Sequence, residues 1–422
     1  MKRHHGPSGR EFNPETLALG LGYEPELSQG ALKPPVFLTS TFQFTDAASG
    51  ARFFELAYGL DEARKGEVPG LIYSRLNNPN LQMFEERIAA WDRTELGAVF
   101  ASGMAAISTT LMALTSSGDH IISTAPVYGG THFLLENVLP RFGIKASQVL
   151  GGTGAAQRLE QEAERVGPER VRMLFVETPA NPSNALTDIA EVAELAQRLS
   201  ARTGRRVLVA VDNTFLGPVF QRPAQCGADI VLYSATKFIG GHSDLVAGVA
   251  TGPRDLMAEV MVLRTILGTM ATPFTGWMLL RSLETVSIRM RRQAKNAQAL
   301  AELLDAHPQV TKVHYPGLLQ PEDPQHDIYS RQCTGPGSLI AFEVKGGKEA
   351  AWRVLDSFEV FRLAVSLGGT ESLVEHPMSM THADVPPEQL EDLGVQPGLI
   401  RMSAGIEHLS DLKRDLLHAL QV

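Results

Sequence analysis

Apolar residues fall into two rhythms along this chain. Between about 80 and 250, short continuous apolar runs alternate with segments whose apolar positions recur every three to four residues. The runs at 98–101, 120–123, 171–176, 206–211 and 230–233 predict strands. The periodic segments at 81–93, 130–139, 157–166 and 188–202 predict helices, and a further helix opens at Gly103. Strands apolar at successive positions are buried on both faces, and strands alternating with helices build a mostly parallel sheet, so the fold class is α/β. Beyond about 275 the pattern changes. A long helical pattern at 277–304, short strands at 310–314, 338–344 and 399–403, and helices near 348–357 and from Leu409 predict a smaller α+β unit. Residues 1 to about 70 are rich in Gly and Pro and hold no long periodic segment, and 61–70 reads as an exposed loop. A stretch of that kind is expected to wrap a neighbouring subunit rather than fold alone. The expected division is an N-terminal arm at 1–72, a large α/β domain at 73–274 and a C-terminal small domain at 275–422.

Composition narrows the partners. The formal charge is −9 and no Lys/Arg block stands anywhere in the chain, which argues against nucleic acid and anionic membranes and leaves small metabolites. The two cysteines, Cys226 and Cys333, make no disulfide framework and no metal-ligand spacing, so a reducing compartment and no metal are expected. With no apolar run of about 18 residues and a polar N-terminus at Met1 to Gly6, neither a membrane span nor a secretion signal is expected, and the protein is placed in the cytoplasm.

Candidate chemistry sits where strands end. Lys237 follows the run 228–233 and stands in Ser234-Ala235-Thr236-Lys237-Phe238-Ile239-Gly240-Gly241. Burial there would lower the lysine pKa and free a neutral amine to form a Schiff base with an aldehyde; the alternative is a snorkelling surface lysine. Gly103 and Met104 open a helix after a strand, where free amides and the helix dipole suit a phosphate or merely a cap. Asp212, at a strand end, is either a partner for a ring nitrogen or an N-cap. Asn181, in Glu177-Thr178-Pro179-Ala180-Asn181-Pro182, either contacts a cofactor oxygen or holds the turn. Arg401, inside the strand 399–403, offers a guanidinium fork to an α-carboxylate or forms a structural salt bridge.

Taken together and in order, these stretches resemble the pyridoxal-phosphate enzymes of cysteine and methionine metabolism: cystathionine γ-synthase, cystathionine γ-lyase, methionine γ-lyase and the homoserine-ester sulfhydrylases. The resemblance runs from about residue 35 to the C-terminus. Tyr73-Ser74-Arg75-Leu76-Asn77-Asn78-Pro79-Asn80, Ala101 to Ala106, Tyr128-Gly129-Gly130-Thr131, Glu177 to Pro182, Val211 to Thr214, Ser234 to Asp244, Ser366-Leu367-Gly368-Gly369, His376 to His382 and Leu399 to Ile406 carry it. It implies a fold-type I transferase whose cofactor is pyridoxal 5'-phosphate. Lys237 resembles the Schiff-base lysine, Asp212 the partner of the pyridine nitrogen and Tyr128 the stacking tyrosine that assists the leaving group. Gly103, Met104, Ser234 and Thr236 resemble the phosphate cradle, and Tyr73 and Arg75 the pair that reaches the phosphate of a neighbouring subunit. Asn181, Ser366 and Arg401 resemble the residues that position the ring oxygen and the substrate carboxylate. A homotetramer built as two dimers is implied, with the arm at its interfaces.

The implied reaction runs through a vinylglycine-type intermediate. Protonation and hydrolysis of that intermediate complete a γ-elimination; adding a nucleophile gives γ-replacement. Departures from the family pattern bear on the choice. Gly130 stands where methionine γ-lyases usually carry cysteine, and their Lys-Asp pair is absent from the loop 264–270. Val365 replaces the glutamate common in cystathionine enzymes, and the 61–70 loop and Leu76-Asn77-Asn78 fit none of the members well. Elimination from a methionine-, homocysteine-, cystathionine- or canavanine-like amino acid ranks first, with γ-replacement by a sulfhydrylase or cystathionine γ-synthase as the alternative. A cofactor-binding transcription regulator is set aside because no basic helix-turn-helix segment is present.

Overall fold

The structure, a computed structural model, describes residues 11–57, 60–64, 67, 70–381, 383 and 394–421. Its larger sheet holds β1 Leu96–Phe100, β2 His120–Ala125, β3 Lys145–Leu150, β4 Val171–Glu177, β5 Leu208–Asp212, β6 Ile230–Ser234 and β7 Gly248–Gly252, in the order β1-β7-β6-β5-β4-β2-β3. The run from β6 to β3 is parallel, whereas β7 is antiparallel to both β6 and β1. Alternate residues of each strand enter different cores. Ala98, Phe100, Phe175, Ala210 and Leu232 pack with Ile107 and Leu111 of the helix Gly103–Leu114 and Val260 of the helix Arg254–Leu267. On the opposite face Leu174, Val176, Val209 and Val211 meet Leu159, Val192 and Leu195 from the helices Ala155–Val166 and Ile189–Thr203. Burial on both faces is why these strands are apolar without alternation.

The smaller sheet comprises β8 Val310–His314, β9 Leu339–Val344, β10 Arg362–Leu363, β11 Leu373–Glu375 and β12 Leu399–Ser403, ordered β10-β11-β12-β9-β8. It is antiparallel except for the β10–β11 pair. The helix Val286–Asp305 joins the two halves: Val286, Met290 and Ala294 enter the core beside the large sheet, while Ala297, Leu300 and Leu304 enter the core of the small one.

Several expectations need correction. The strands β3 and β7 were not marked by the apolar pattern, because β3 is a half-exposed edge and β7 is built of small residues. Small residues are required in β7: a Cβ on Gly252 would lie 2.7 Å from Ile230 Cδ1, and one on Gly248 would run into the carbonyl of Ser102. The segment 130–139 is not one helix but an α-turn, a π-turn and a 3₁₀ turn in succession, the last containing Pro140. Residues 264–267, expected in a loop, are the last turn of Arg254–Leu267, which Gly268 ends at φ +72°. The pattern at 277–304 divides into Pro273–Leu283 and Val286–Asp305, because Thr285 leaves helical geometry and its hydroxyl bonds back to the Ser282 carbonyl at 3.3 Å.

The arm is also less free than expected. It contains the helix Ala47–Ala57, and its residues 17–21 dock on their own chain, where buried Arg87 donates to the carbonyls of Leu21 (3.0 Å) and Ala18 (2.6 Å). Within 61–70, Arg52 grips Glu67 through two bonds of 2.9 Å and Asp61 through one of 2.6 Å. Lys65, Gly66, Val68 and Pro69 of that loop, His382 and the N-terminal residues Met1 to Gly6 lie outside the described residues.

Candidate active site

Parallel strands deliver their carboxyl ends to one side of a sheet, and a pocket of about 640 Å³ opens there. Glu177 ends β4, Asp212 ends β5 and Ser234 ends β6, followed at once by Thr236 and Lys237; all of them line the pocket. The helix Gly103–Leu114 points its N-terminus into the same space, with Gly103 and Met104 on the wall. Tyr128, Gly130 and Asn181 arrive from the loops after β2 and β4, and Val365, Ser366 and Arg401 from the C-terminal half. Of the expected site residues, only Tyr73 and Arg75 stand apart from this pocket. Arg75 donates to the Thr265 carbonyl at 2.8 Å and lies 5.9 Å from the Tyr73 ring centroid, and Tyr73 is 41 % exposed.

The helix start has the form of an anion site. Ser102 caps it, accepting from the Ala105 amide at 3.0 Å, while the first amides of any helix have no partner within it. A Cβ on Gly103 would lie 2.9 Å from Ser234 Cβ, so glycine keeps this floor open. The Thr236 hydroxyl is tied to the backbone of Ala247, donating to its carbonyl (3.2 Å) and accepting from its amide (3.0 Å).

Two carboxylates share the back of the pocket. Asp212 and Glu177 are direct neighbours in the β4–β5 register. Asp212 is no N-cap: one of its oxygens accepts both the amide (3.0 Å) and the hydroxyl (2.6 Å) of Thr214. Burial raises its pKa against those two bonds. Glu177 accepts from the Tyr128 amide at 2.8 Å, yet burial first and the charge of Asp212 second push it well above the usual carboxylate range. Two buried carboxylates side by side do not both ionise readily, and the upward push is the stronger on Glu177, where the charge of Asp212 adds to burial.

Lys237 lies opposite. Its Nζ donates to Ser366 Oγ at 2.8 Å. Burial, and secondarily the charge of Arg401, lowers its pKa to about 8, so about a tenth of the amine is neutral at pH 7, far more than for an ordinary lysine. The carbonyl of Ser366 accepts from Arg401 at 2.8 Å, and Asn181 Oδ1 accepts from the same guanidinium at 3.1 Å. Ser366 has φ +101°, a backbone state costly for a residue with a Cβ. Arg401 also pairs with buried Glu375 at 2.9 Å, through the β11–β12 register. The structural salt bridge is thus present, and the same side chain lines the pocket wall.

Nothing in the sequence marked Glu375 or set Glu177 apart from its motif. Each is an ordinary glutamate at a strand end, and only sheet register brings it to its partner. Phe133, Ile107 and Val246, which also line the pocket, carried no signal beyond apolarity. Gly130 packs closely as well: a Cβ there would lie 2.8 Å from Tyr128 Cε1 and 2.9 Å from Met104 Sδ. Among the described residues no three His, Cys, Asp or Glu side chains gather as a metal site, and no helix is long and apolar enough to cross a membrane.

Comparison with known proteins places these features in a wider set. The family model for Cys/Met metabolism PLP-dependent enzymes matches residues 15–421. An L-methionine gamma-lyase from Pseudomonas deceptionensis is 39% identical over 98% of this chain and 98% of its own. A cystathionine gamma-synthase from Mycobacterium bovis is 39% identical over 99% of this chain and 98% of its own. The crystal structure of cystathionine gamma synthase from Xanthomonas oryzae pv. oryzae, in complex with aminoacrylate and cysteine, superposes with a TM-score of 0.86 at 33% identity, covering 98% of both chains.

Proposed function

The chain belongs to the Cys/Met-metabolism PLP-dependent enzymes, and from that membership we propose that it is a γ-lyase, acting on an amino acid with a heteroatom leaving group at Cγ. The observation that carries the reading is the charge inventory of the pocket. Among the described lining residues, Lys237 and Arg401 are the only cations, and both face the demands of a single amino acid. The described residues of this chain offer the pocket no third cation for the carboxylate of a second substrate or of a succinyl ester, and Arg75 of a neighbouring subunit is assigned to the phosphate. The apolar residues Met104, Ile107, Phe133, Val246 and Val365 suit an uncharged γ-substituent, as in methionine or homocysteine, better than a charged one.

Pyridoxal 5'-phosphate is the cofactor of this family, and the residues present fit it: an amide-rich helix start kept open by Gly103, a buried carboxylate at Asp212 and an amine at Lys237. When bound, it supplies an aldehyde that condenses with amines and a ring that withdraws electrons from Cα. Gly103, Met104, Ser234 and Thr236 would hold its phosphate, with Tyr73 and Arg75 serving the phosphate of a neighbouring subunit. Asp212 would face the ring nitrogen and, as a carboxylate, favour its protonated form. Asn181 addresses the ring oxygen, and Arg401 with Ser366 orients the substrate carboxylate. The Lys237 amine takes the α proton, and Tyr128 stands by the departing group. The products are ammonia, a 2-oxo acid and the released γ-substituent. The proposed assembly is a cytoplasmic homotetramer of two dimers; the exposed apolar side chains Val262, Ile266 and Phe274, on and beside one helix, form a surface that contact with another subunit would cover.

γ-Replacement, by a homoserine-ester sulfhydrylase or a cystathionine γ-synthase, is the second reading, favoured by an identity to cystathionine gamma-synthase equal to that with the lyase. Incubation of purified protein with methionine, homocysteine, cystathionine, canavanine and homoserine esters, with and without sulfide, separates the two. A 2-oxo acid formed without sulfide is expected; homocysteine formed only with sulfide, and no 2-oxobutyrate, would overturn the lyase reading.

A further inference from the structure

Besides Ser287, the helix Val286–Asp305 buries Arg289, Gln293 and Asn296, whose spacings of four and three place them on one face. All three donate to backbone carbonyls, and each reaches a different loop. Arg289 donates to Phe238 (2.8 Å) and Ile239 (3.3 Å), the two residues after Lys237, and to Ser282 (3.0 Å). Gln293 donates to Gly369 (2.6 Å) and Gly368 (3.4 Å), just after Ser366. Asn296 donates to Gly405 (2.9 Å) and Glu407 (3.1 Å), in the loop that follows the strand of Arg401.

These placements cost stability. Among the described residues the carbonyl oxygens of Gln293 and Asn296 are buried without a partner, a penalty that an apolar side chain of the same shape would avoid while giving up the donors to the loops. The same helix does use apolar residues on its inward face further along, at Ala297, Leu300, Ala301 and Leu304. The polar stripe is confined to the turns that face the three loops. Those loops also touch one another. A Cβ on Gly368 would lie 2.8 Å from the Phe238 amide nitrogen, the Gly368 amide donates to Ser403 Oγ at 2.9 Å, and Ile406 donates to the Thr370 carbonyl at 2.8 Å.

We propose that Arg289, Gln293 and Asn296 are positioning residues that set the mutual register of Lys237, Ser366 and Arg401, by fixing from one rigid helix the backbones that follow them. Donors aimed at carbonyls constrain the loops without adding side chains to the pocket. The inference rests on the proposed site only for its functional consequence, since the hydrogen bonds stand without it.

The test compares Gln293→Met, which keeps volume and loses the donors, with Leu300→Ala, which destabilises the apolar half of the same helix. Amide hydrogen exchange on cofactor-free protein is read first. Faster exchange at 366–371 in Gln293→Met, with residues 297–304 still protected, is expected; Leu300→Ala is expected to speed exchange in 297–304 and leave 366–371 as in the wild type. With cofactor bound, Gln293→Met is expected to shift the pH midpoint of the cofactor's visible absorbance and to raise KM for the substrate about tenfold, which Leu300→Ala at a similar loss of Tm is not. Arg289→Lys, which keeps the cation but loses the planar fork, forms a second arm should Gln293→Met fail to fold; it is expected to loosen 237–241 and shift the same midpoint. If variants matched in Tm show the same exchange at these loops, the same midpoint and the same KM, the stripe is ordinary core and the proposal fails. An absence of turnover in every variant and the wild type would instead count against the lyase reading, leaving the exchange result to decide this one.

Discussion

Lys237 and Ser366, 129 positions apart, meet in a hydrogen bond of 2.8 Å from Nζ to Oγ, and the serine that accepts it holds φ +101°. A serine in that region costs about 1–3 kcal/mol, which glycine would not incur. Ser366→Gly is expected to leave stability unchanged or raise it by about 1 kcal/mol, allowing for the greater freedom of glycine in the unfolded chain. Turnover is expected to fall about 100-fold as the Lys237 contact is lost. Denaturant unfolding beside steady-state kinetics checks both; a variant clearly less stable than wild type would show that the conformation carries no strain.

Lys237 has a sign that can be worked out. Its folded pKa, about 8, lies below the unfolded value of 10.5, so below pH 8 the folded state bears a charge it disfavours. The unfolded chain binds the extra proton between about pH 8 and 10.5, and stability attributable to this group rises across that window. Lys237→Met should therefore stabilise cofactor-free protein at pH 7, by at most about 3 kcal/mol, and by much less at pH 10.5. Urea unfolding at both pH values measures it. Lys237→Ala with added cofactor should lose the visible absorbance of the wild type near neutral pH, and its persistence would remove the lysine from its assigned role.

The neighbouring carboxylates predict an asymmetry. If Glu177 already holds a proton, Glu177→Gln replaces one neutral donor-acceptor by another and should keep turnover within about tenfold of wild type. Asp212→Asn removes the charge and should cost at least about 100-fold. Equal losses in the two variants would mean that the proton sits elsewhere.

Gly130 predicts a coupling. A Cβ at this position meets Tyr128 Cε1 at 2.8 Å and Met104 Sδ at 2.9 Å, so Gly130→Ala must move one of them. A loss in kcat/KM of about tenfold is expected, together with partial recovery in Gly130→Ala/Met104→Ala, because the flexible methionine is the neighbour that can be cut back. Losses that simply add in the double variant would show that Met104 is not what the new methyl strikes.

The part of the fold legible beforehand follows from burial. Strands β4, β5 and β6 are covered on both faces, so 171–176, 206–211 and 230–233 read as apolar runs that only Arg172 and Arg206, at or near their starts, interrupt. The strands β3 and β7 escaped because an exposed edge tolerates Lys145, Ser147 and Gln148, and because close packing against Ser102 and Ile230 demands glycine at both ends of Gly248–Gly252. The helix break at Glu284 and Thr285 was invisible for a different reason, since neither residue is a breaker and the apolar period continues across it.

For the site, local sequence singled out Lys237, Asp212, Gly103 and Arg401 as candidates, each beside a plainer alternative, because strand-to-loop transitions are local events and chemistry-bearing residues at those transitions stand out. What those residues do to one another was decided by tertiary structure alone. The pairing of Glu177 with Asp212, and of Glu375 with Arg401, depends on the register of strands far apart in sequence. The left-handed backbone of Ser366 and the stripe at Arg289, Gln293 and Asn296 depend on loops that are distant in sequence and are brought together by the fold. Residue types are written along the chain, whereas pKa values and reach depend on distance and burial, which exist only once the chain has closed on itself.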